Sequence, residues 1–464
     1  MYLQKITDSS RAPRAPYRML LLAIAITLSG CAAWSPQRPE IAVVATPANT
    51  APVNALTQWW QRFNDPQLSQ LVTQALQANT SIRSAQAALQ QSRALRDVQQ
   101  AGLLPGVSAS GSAGRSKSNG NEANNSFNVG LDASWEPDIF GGKRSALNAT
   151  EFDAKASEAS LADVQVSIAA EVALAYIQLR GQQAQLQIAR NNLASQNETL
   201  QITDWRVQAG LATSLDLEQA RTDSEQTSAQ IPTLEASIAQ TQHSLGVLTG
   251  QRPDALKTQL AAFQPIPLAA DDLAQRFPAQ TLRQRPDVRA AEHRISAALA
   301  RVSAADAARY PSFSIKGSLG LSALTLGALT NPAAVANSLL AGISIPLFDG
   351  GAARMQVLAQ EAALEQARAS YQAVVLTALK DVEDALVALA GDREKLIHLQ
   401  NAATAAGHAA LLAQQRYTSG LIDFQIVLQT QRSLLTAQNS VASSTADIST
   451  DHVRLYKALG GGWN

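Results

Sequence analysis

Residues 127–142 read FNVGLDASWEPDIFGG, an alternating run that ends on a proline, a phenylalanine and two glycines. A related run, LLAGISIPLFDGG, occupies residues 339–351, about 210 residues later. The same spacing relates Arg206-Val207-Gln208-Ala209-Gly210-Leu211 to Arg416-Tyr417-Thr418-Ser419-Gly420-Leu421. A repeat of this length exceeds the roughly 20 to 50 residues of solenoid repeats. The sequence therefore predicts a duplicated fold unit with internal pseudo-symmetry, as in a wall or a ring.

Each copy contains two stretches in which apolar and small polar residues alternate, which predicts strands with one apolar and one polar face. A soluble sheet would explain the alternation, but two isolated hairpins between long helices are marginal on their own. Their polar positions are Ser, Gly and Asn, as in a wetted lumen. About ten residues, tilted near 40°, rise roughly 25 Å, the height of an outer-membrane barrel.

Four strands cannot close a barrel, and open sheet edges are not tolerated in hydrocarbon. Several chains must therefore close it together. Two chains would give eight strands and a filled interior, whereas three would give twelve. The sequence favours an α+β membrane protein with a trimeric twelve-stranded barrel.

The segments after the hairpins carry a seven-residue repeat, which predicts long supercoiled helices. Its first copy spans about 65 residues, or roughly 98 Å of helix. A solid coiled coil is the alternative, but the many intervening Ala, Gln, Ser and Thr residues favour a wide helical barrel. The repeat positions are Val172, Leu179, Leu186, Leu193, Leu200 and Val207, then Val382, Leu389, Leu396, Ala403, Ala410 and Tyr417.

The composition argues against several classes of function. The formal net charge is zero and only 16% of residues are charged, so no nucleic-acid partner is expected. The five histidines are dispersed, and the sequence has no phosphate-binding glycine loop or nucleophile elbow. We therefore expect no enzyme activity, no cofactor and no metal site.

The N-terminus predicts export and lipidation. Three arginines precede an apolar run of about ten residues, which fits a signal peptide over residues 1–30 and is too short to span a bilayer. Leu28-Ser29-Gly30-Cys31 resembles the lipobox of bacterial lipoproteins, in which Cys31 becomes the lipidated N-terminus. An ordinary signal peptide with a stray cysteine is the alternative. Ala32 after the cysteine favours the outer membrane.

The expected organisation follows from these patterns. We expect a lipidated leader at 31–64 that runs along the surface of the protein. A first repeat then covers 65–250, a linker covers 251–285, and a second repeat covers 286–464. The first repeat holds a hairpin at about 106–136, a long helix at about 144–208 and a tip at about 206–216. The second holds a hairpin at about 312–347, a helix at about 353–418 and a tip at about 416–424. Prolines mark the ends of the hairpins, at Pro105, Pro137, Pro311 and Pro346.

The mature chain resembles the outer-membrane efflux protein family, the TolC-like channels, in its lipoprotein branch serving resistance-nodulation-division pumps. The resemblance is carried by Cys31, by Trp59-Trp60 with Phe63 and Asp65-Pro66, and by the runs 135–141, 285–292 and 346–351. It implies a trimer with a periplasmic helical barrel, a periplasmic adaptor and an inner-membrane pump. It implies a passive exit duct for drugs or other small toxic compounds. A type I secretion duct for polypeptides, or a non-conducting coiled-coil envelope lipoprotein, are the alternatives.

The tips are the candidate functional site. Gly210 and Gly420 stand where helices end in a left-handed conformation, and Thr213 with Asp216 reads as a capping box. From the resemblance, Gly210, Leu211, Thr213, Asp216, Gly420 and Leu421 are expected to meet the adaptor. Asp423, equivalent to Thr213, is expected from its position to cap a helix. The resemblance implies that it faces the pore axis, where three copies form an acidic ring, and both roles can hold together. Arg416 and Tyr417 are expected to hold the tip shut by ion pairing and packing.

Overall fold

The computed structural model describes residues 58–117, 123–269 and 283–461. The signal peptide, Cys31 and most of the predicted leader lie outside these residues. The helices are α1 (Pro66–Ala78), α2 (Thr80–Ala101), α3 (Gly142–Gln208), α4 (Ser214–Leu248), α5 (Pro286–Ala307), α6 (Ala352–Thr418) and α7 (Phe424–Ala458). The strands are β1 (Gly106–Ser116), β2 (Asn124–Trp135), β3 (Ser312–Ala323) and β4 (Val335–Ser344).

The described helices fall into matched pairs, which confirms the internal duplication. Helices α3 and α6 each have 67 residues, and α4 and α7 each have 35. The two members of each pair begin and end at the same offset along the chain. Helices α2 and α5 have 22 residues each and are separated by a slightly shorter offset. At 1.5 Å per residue, α3 and α6 are each about 100 Å long.

In the two long helices, the side chains of the seven-residue repeat point inward, since none of the repeat positions named above is exposed. Helix α3 is the one described helix that is long and apolar enough to cross a membrane, with a mean hydropathy of 1.4 in its most apolar window. It packs against α2, α4, α5 and α7. Part of this apolar window, including Ile168 and Val172, therefore belongs to the core between the helices.

The four strands form one antiparallel sheet in the order β1-β2-β3-β4, which confirms the predicted four strands per chain. The two hairpins join where Leu131 lies opposite Leu319. Next to this pair, Gly130 lies opposite Gly320, and both belong to the other face of the sheet. A Cβ on Gly320 would approach the Val129 carbonyl oxygen to 3.0 Å. A side chain at Gly320 would therefore require the two strands to move apart by a few tenths of an ångström.

The sheet keeps its two faces distinct, as the alternation predicts. Side chains on the polar face bond across strands, with Ser110 donating to Asp132 Oδ2 at 3.1 Å and Ser318 bonding to Ser338 at 2.8 Å. The odd-numbered apolar side chains remain exposed, including Val107, Val129, Leu131, Leu319, Leu339 and Ile343. The described chain does not bury this face, so the strands do not form a soluble core.

The main core lies around the middle of the long helices, and it includes residues the sequence assigned to a surface leader. Trp59, Trp60 and Phe63 form a short 3-10 helix and are buried. The Trp59 ring stacks on that of Tyr456 with centroids 5.2 Å apart. A surface-hugging leader as far as residue 64 is therefore wrong for these residues, because the large apolar area of their rings draws them inward.

The described part of the predicted linker also enters this core. Leu256 and Leu260 are buried. Arg180 on α3, fully buried, donates to the Ala262 carbonyl at 2.9 Å, and Gln183 donates to the Leu260 carbonyl at 2.8 Å. Polar groups of α3 thus satisfy the irregular backbone of this segment, which allows it to be buried.

Candidate functional site at the helix tips

Two sharp turns connect the long helices to the shorter helices that follow them. The first tip (residues 206–216) joins α3 to α4, and the second tip (residues 416–424) joins α6 to α7. Gly210 has φ of 72° and Gly420 has φ of 74°. The Leu211 amide donates to the Arg206 carbonyl at 2.7 Å, and the Leu421 amide to that of Arg416 at 2.9 Å. Both helices therefore end in the Schellman arrangement that favours glycine.

The first tip contains the predicted capping box. The Asp216 amide donates to Thr213 Oγ1 at 3.2 Å, and the Thr213 amide donates to Asp216 Oδ2 at 3.0 Å. The Thr213 hydroxyl also donates to Asp216 Oδ2 at 2.8 Å. These reciprocal bonds satisfy free amides at the start of α4 and fix the turn.

The second tip lacks such a box. Asp423 is the N-cap residue of α7, but its side chain accepts no capping hydrogen bond. Ile426 stands where Asp216 stands in the first tip, so no carboxylate reaches back to the turn. The predicted side-chain cap is therefore absent, and the Asp423 carboxylate is exposed.

A small apolar cluster holds the two tips together. It contains Ala220, Ala413, Tyr417, Phe424, Val427 and Leu428. The rings of Tyr417 and Phe424 lie 5.1 Å apart, and the Arg206 guanidinium lies 4.4 Å from the Tyr417 ring centre. Arg206 also donates to the Tyr417 carbonyl at 3.0 Å. Tyr417 thus packs the tips, and its partner is Arg206 of the other repeat.

Arg416 lies differently from Arg206, although the repeat makes them equivalent. Its side chain is exposed, and it forms no ion pair with the described residues of its own chain. The exposed Leu211 and Leu421 side chains flank the same end of the structure. The exposed groups at this end therefore include a cation, a carboxylate at Asp423 and two leucines.

The strongest polar link near the tips was not found from the sequence. Arg432 on α7 makes a bidentate ion pair with Asp223 on α4, with Nε lying 3.0 and 2.9 Å from the two carboxylate oxygens. The Asp223 side chain is only 4% exposed, whereas that of Arg432 is 53% exposed. The bonds to Asp223 raise the pKa of Arg432 above its usual value. This pair joins two helices from different repeats.

Hydrogen bonds tie the same region to α3. Gln431 donates to Thr199 Oγ1 at 2.9 Å, and Ser224 donates to Asn197 Oδ1 at 2.6 Å. These bonds join α7 and α4 to α3 near the ion pair, and further bonds lie farther along the helices, such as Asn192 donating to Gln438 Oε1 at 2.8 Å. Between α4 and α7 themselves, the polar link in the described part of the chain is the Asp223–Arg432 pair.

The four predicted prolines lie at the boundaries between strands and helices. Pro105 and Pro311 precede β1 and β3, while Pro137 and Pro346 follow β2 and β4 closely. In the first junction (residues 136–141), Phe140 stacks on Tyr310 with centroids 5.0 Å apart. The second junction (residues 346–351) holds Asp349, whose carboxylate accepts the Ala353 and Gly351 amides, which lowers its pKa.

Buried carboxylates occur farther from the tips. Asp451 on α7 has a side chain only 1% exposed, beside the carboxyl of Asp392. Burial, followed by the hydrogen bond and charge of Asp392, raises its pKa to about 6. In the described part of the chain, no three His, Cys, Asp or Glu side chains are placed to hold a metal ion.

Comparisons with known proteins give a consistent result. The family described as "Outer membrane efflux protein" matches residues 71–251 and 277–461. The Solvent efflux pump outer membrane protein SrpC of Pseudomonas putida is 32% identical, over 88% of this chain and 88% of its own. Outer membrane protein OprJ of Pseudomonas aeruginosa is 31% identical, over 96% and 95%.

Solved structures are similar over most of their length. The outer-membrane channel OprN superposes with a TM-score of 0.83 at 35% identity, covering 88% of this chain and 93% of OprN. The open state of the MtrE outer membrane channel of Neisseria gonorrhoeae gives 0.80 at 26% identity, covering 92% and 97%. At this coverage the similarity extends over nearly the whole of each channel chain.

Proposed function

This chain belongs to the outer membrane efflux protein family, and we propose that three copies of it form the exit duct of a tripartite efflux system. In this system an inner-membrane pump supplies the energy, and a periplasmic adaptor connects the pump to the duct. The cargo is a drug or another small toxic compound that the pump selects. The duct itself binds no cofactor and catalyses no reaction.

The observation that carries the proposal is the four-stranded sheet with an exposed apolar face. Backbone groups at the outer edges of β1 and β4 need partners before the sheet can enter lipid, where each unsatisfied group costs several kcal/mol. Within the described residues these strands are the two ends of the sheet order. A second chain must therefore complete each edge.

Three chains satisfy this requirement best. With four strands per chain, three chains give twelve strands, within the range of bacterial barrels. Two chains would give eight strands, a size whose interior is filled by side chains. The Ser-rich polar face then lines a wet lumen, and the exposed Val, Leu and Ile side chains face lipid.

We place the gate at the tips. In a trimer with the tips around the axis, the exposed Asp423 carboxylates form an acidic ring that attracts cations. Arg416, exposed at the end of α6, is available to an acidic group of a neighbouring chain. The adaptor would contact the turns of both tips, at Gly210, Leu211, Thr213 and Asp216 and at Gly420 and Leu421.

The lipidated N-terminus completes the proposal. Cys31 is expected to carry the acyl chains that anchor the protein to the outer membrane, since stable anchoring needs more than one chain. The large helical part then lies in the periplasm. Labelling with palmitate, compared between the wild type and Cys31→Ser, tests this point, and equal labelling would contradict it.

Conductance of the purified protein in planar bilayers tests the proposed function. We expect discrete channels, together with a heat-labile trimer on denaturing gels and a β signal in circular dichroism. A protein that is trimeric but never conducts would instead be a coiled-coil envelope lipoprotein. Loss of polypeptide secretion with intact drug resistance in a deletion strain would favour a type I secretion duct.

A further inference from the structure

The two ends of the sheet face different surroundings. Both hairpins join the helices at one end, and the other end carries Ser116, Asn124, Ala323 and Val335 as its terminal strand residues. In the proposed duct the helices lie in the periplasm. This second end, which we call the outer end, therefore faces the outer leaflet of the outer membrane.

The apolar face of the sheet stops close to the outer end. Along β3 its odd-numbered residues run from Phe313 to Ala323, which is about 33 Å along the strand. At a tilt of about 40° this length rises roughly 25 Å, the height of the apolar band of an outer-membrane barrel. Ala323 lies opposite Phe127 of β2, which lies opposite Ala113 of β1. These three residues therefore mark the outer boundary of the hydrocarbon.

Two cations stand just beyond this boundary on the first hairpin. Arg115 is the next odd-numbered residue of β1 after Ala113, so its side chain leaves the sheet on the apolar face. It lies opposite Asn125, and both residues are exposed. Lys117 follows the end of the strand and is exposed as well. The lipid-facing side of the first hairpin thus ends in a basic margin, formed by Arg115 and Lys117.

The second repeat has no such margin. β1 and β3 begin 206 residues apart, which sets the offset between these two strands. The counterparts of Arg115 and Lys117 are therefore Leu321 and Ala323, which are apolar. Since β3 forms with apolar residues at this height, the sheet does not need a cation here in order to fold. The basic margin therefore calls for an explanation other than folding.

The surrounding charges leave the basic margin net positive. The one carboxylate of the described strands is Asp132, which lies on the polar face and accepts a hydrogen bond from Ser110 at 3.1 Å. Residues 312–344 contain no Asp or Glu, so the second hairpin of a neighbouring copy brings no acid to the margin. The sequence of the first hairpin has one further acid, Glu122, against the two cations. An anion from outside the protein is therefore a fitting partner.

A phosphate group has the charge and the shape that this margin can recognise. A guanidinium binds phosphate oxygens through two parallel N–H donors, and a lysine ammonium adds a second positive charge. Basic residues next to a membrane surface attract anionic lipid headgroups. A phosphate monoester carries close to two negative charges near neutral pH, more than the single charge of a phosphodiester. A lipid that bears phosphate monoesters therefore fits best.

We propose that Arg115 and Lys117 bind the phosphate monoester of an outer-leaflet lipid on the outside of the barrel. The acyl chains of this lipid lie along the apolar face below, and three copies of the chain give three such sites. The inference rests on the proposed duct and goes beyond it, because the site lies on the opposite face from the lumen. Binding should fix the height of the barrel in the membrane and leave conduction unchanged.

The affinity for lipid A, which carries phosphate monoesters, tests the site. Lipid A is titrated into the purified trimer in neutral detergent, and the bound lipid is measured by native mass spectrometry. Each cation near a membrane surface is expected to strengthen binding about fivefold. Arg115→Gln with Lys117→Gln should therefore bind lipid A about 30-fold more weakly than the wild type.

Two control variants separate a directed site from general attraction by charge. Lys316→Gln removes a cation from the polar face of β3 and should leave the affinity unchanged. Arg115→Gln with Ser116→Arg keeps the net charge and the height but turns the cation to the lumen. It should therefore bind lipid A as weakly as Arg115→Gln alone. Dephosphorylated lipid A should bind the wild type and the Arg115→Gln, Lys117→Gln variant equally.

The outcomes of this experiment are distinct. Equal affinity of lipid A for the wild type and the Arg115→Gln, Lys117→Gln variant, with trimer and conductance intact, overturns the site and leaves the proposed duct in place. Wild-type affinity in the variant with Ser116→Arg, or equal displacement of lipid A by phosphatidylglycerol, overturns the inference as well. Absence of a trimer or of conductance in the wild type would instead contradict the proposed function.

Discussion

The Asp223–Arg432 ion pair gives the sharpest test of how the tips are held. Arg432→Gln removes the cation and leaves a carboxylate that is only 4% exposed. Breaking a buried pair costs about 3–5 kcal/mol, but the Arg432 side chain is 53% exposed and hydrated. We therefore expect a cost of about 2 kcal/mol per chain, within the range for hydrogen bonds to charged groups.

The ion pair forms only while α4 and α7 lie together. Its loss in Arg432→Gln should therefore shift the opening equilibrium toward the state in which these helices are apart. About 2 kcal/mol corresponds to roughly a 30-fold shift of the opening equilibrium in each chain. Single-channel recording in planar bilayers should show a higher open probability for Arg432→Gln than for the wild type. The double variant with Asp223→Asn should be more stable to heat than Arg432→Gln alone, because it leaves no unpaired buried charge.

Arg221→Gln is the matched control. Arg221 pairs with Glu218 at 2.8 Å within α4, and both side chains are more than half exposed. Exposed pairs within one helix contribute less than about 1 kcal/mol, and this one links no second helix. Equal open probability in Arg432→Gln and wild type, or an equal increase in Arg221→Gln, would refute the assigned role of the buried pair.

Three further predictions concern single residues. Asp423→Ala should raise conductance or reduce cation selectivity in bilayers, and unchanged values would remove Asp423 from the gate. Asp451, with its pKa raised by burial to about 6, binds a proton more tightly in the folded chain than in the unfolded one. Thermal stability should therefore fall as pH rises from about 4 to 6, and Asp451→Asn should flatten this dependence in melting curves. Gly250→Ala should lower the melting temperature more than Gly210→Ala. Both glycines have positive φ, which costs about 1 kcal/mol for alanine, but only at Gly250 would the Cβ meet a backbone carbonyl, at 2.3 Å.

The sequence predicted those parts of the fold that depend on local periodicity. Strand alternation and the seven-residue repeat each reflect the geometry of a single element, so the hairpins and the long helices could be read directly. The helix ends at Gly210 and Gly420 followed from the backbone conformation that glycine tolerates. The repeat then supplied the correspondence between the two halves.

Contacts between distant segments could not be read in this way. Asp223 and Arg432 belong to different repeats, far apart along the chain, and neither position has a local pattern that identifies its partner. Trp59 and Trp60 follow a proline-rich stretch without periodicity, so only the core they enter explains their burial. Leu256 and Leu260 enter the core as well, because Gln183 and Arg180 on α3 bond to the backbone of that segment.

The clearest departure from the sequence-based expectation is that the two tips are not equivalent. The first is fixed by the Thr213–Asp216 box and by Arg206 packed on Tyr417. The second has no side-chain cap, and both Asp423 and Arg416 are exposed. Its hold on the first repeat comes from the cluster around Tyr417 and from Arg432. We infer that the second tip is the part that moves when the duct opens. Changes at Asp423 and Arg432 should therefore alter conductance. Thr213→Ala, in the first tip, should mainly alter stability. Equal conductance changes from Thr213→Ala would contradict this assignment.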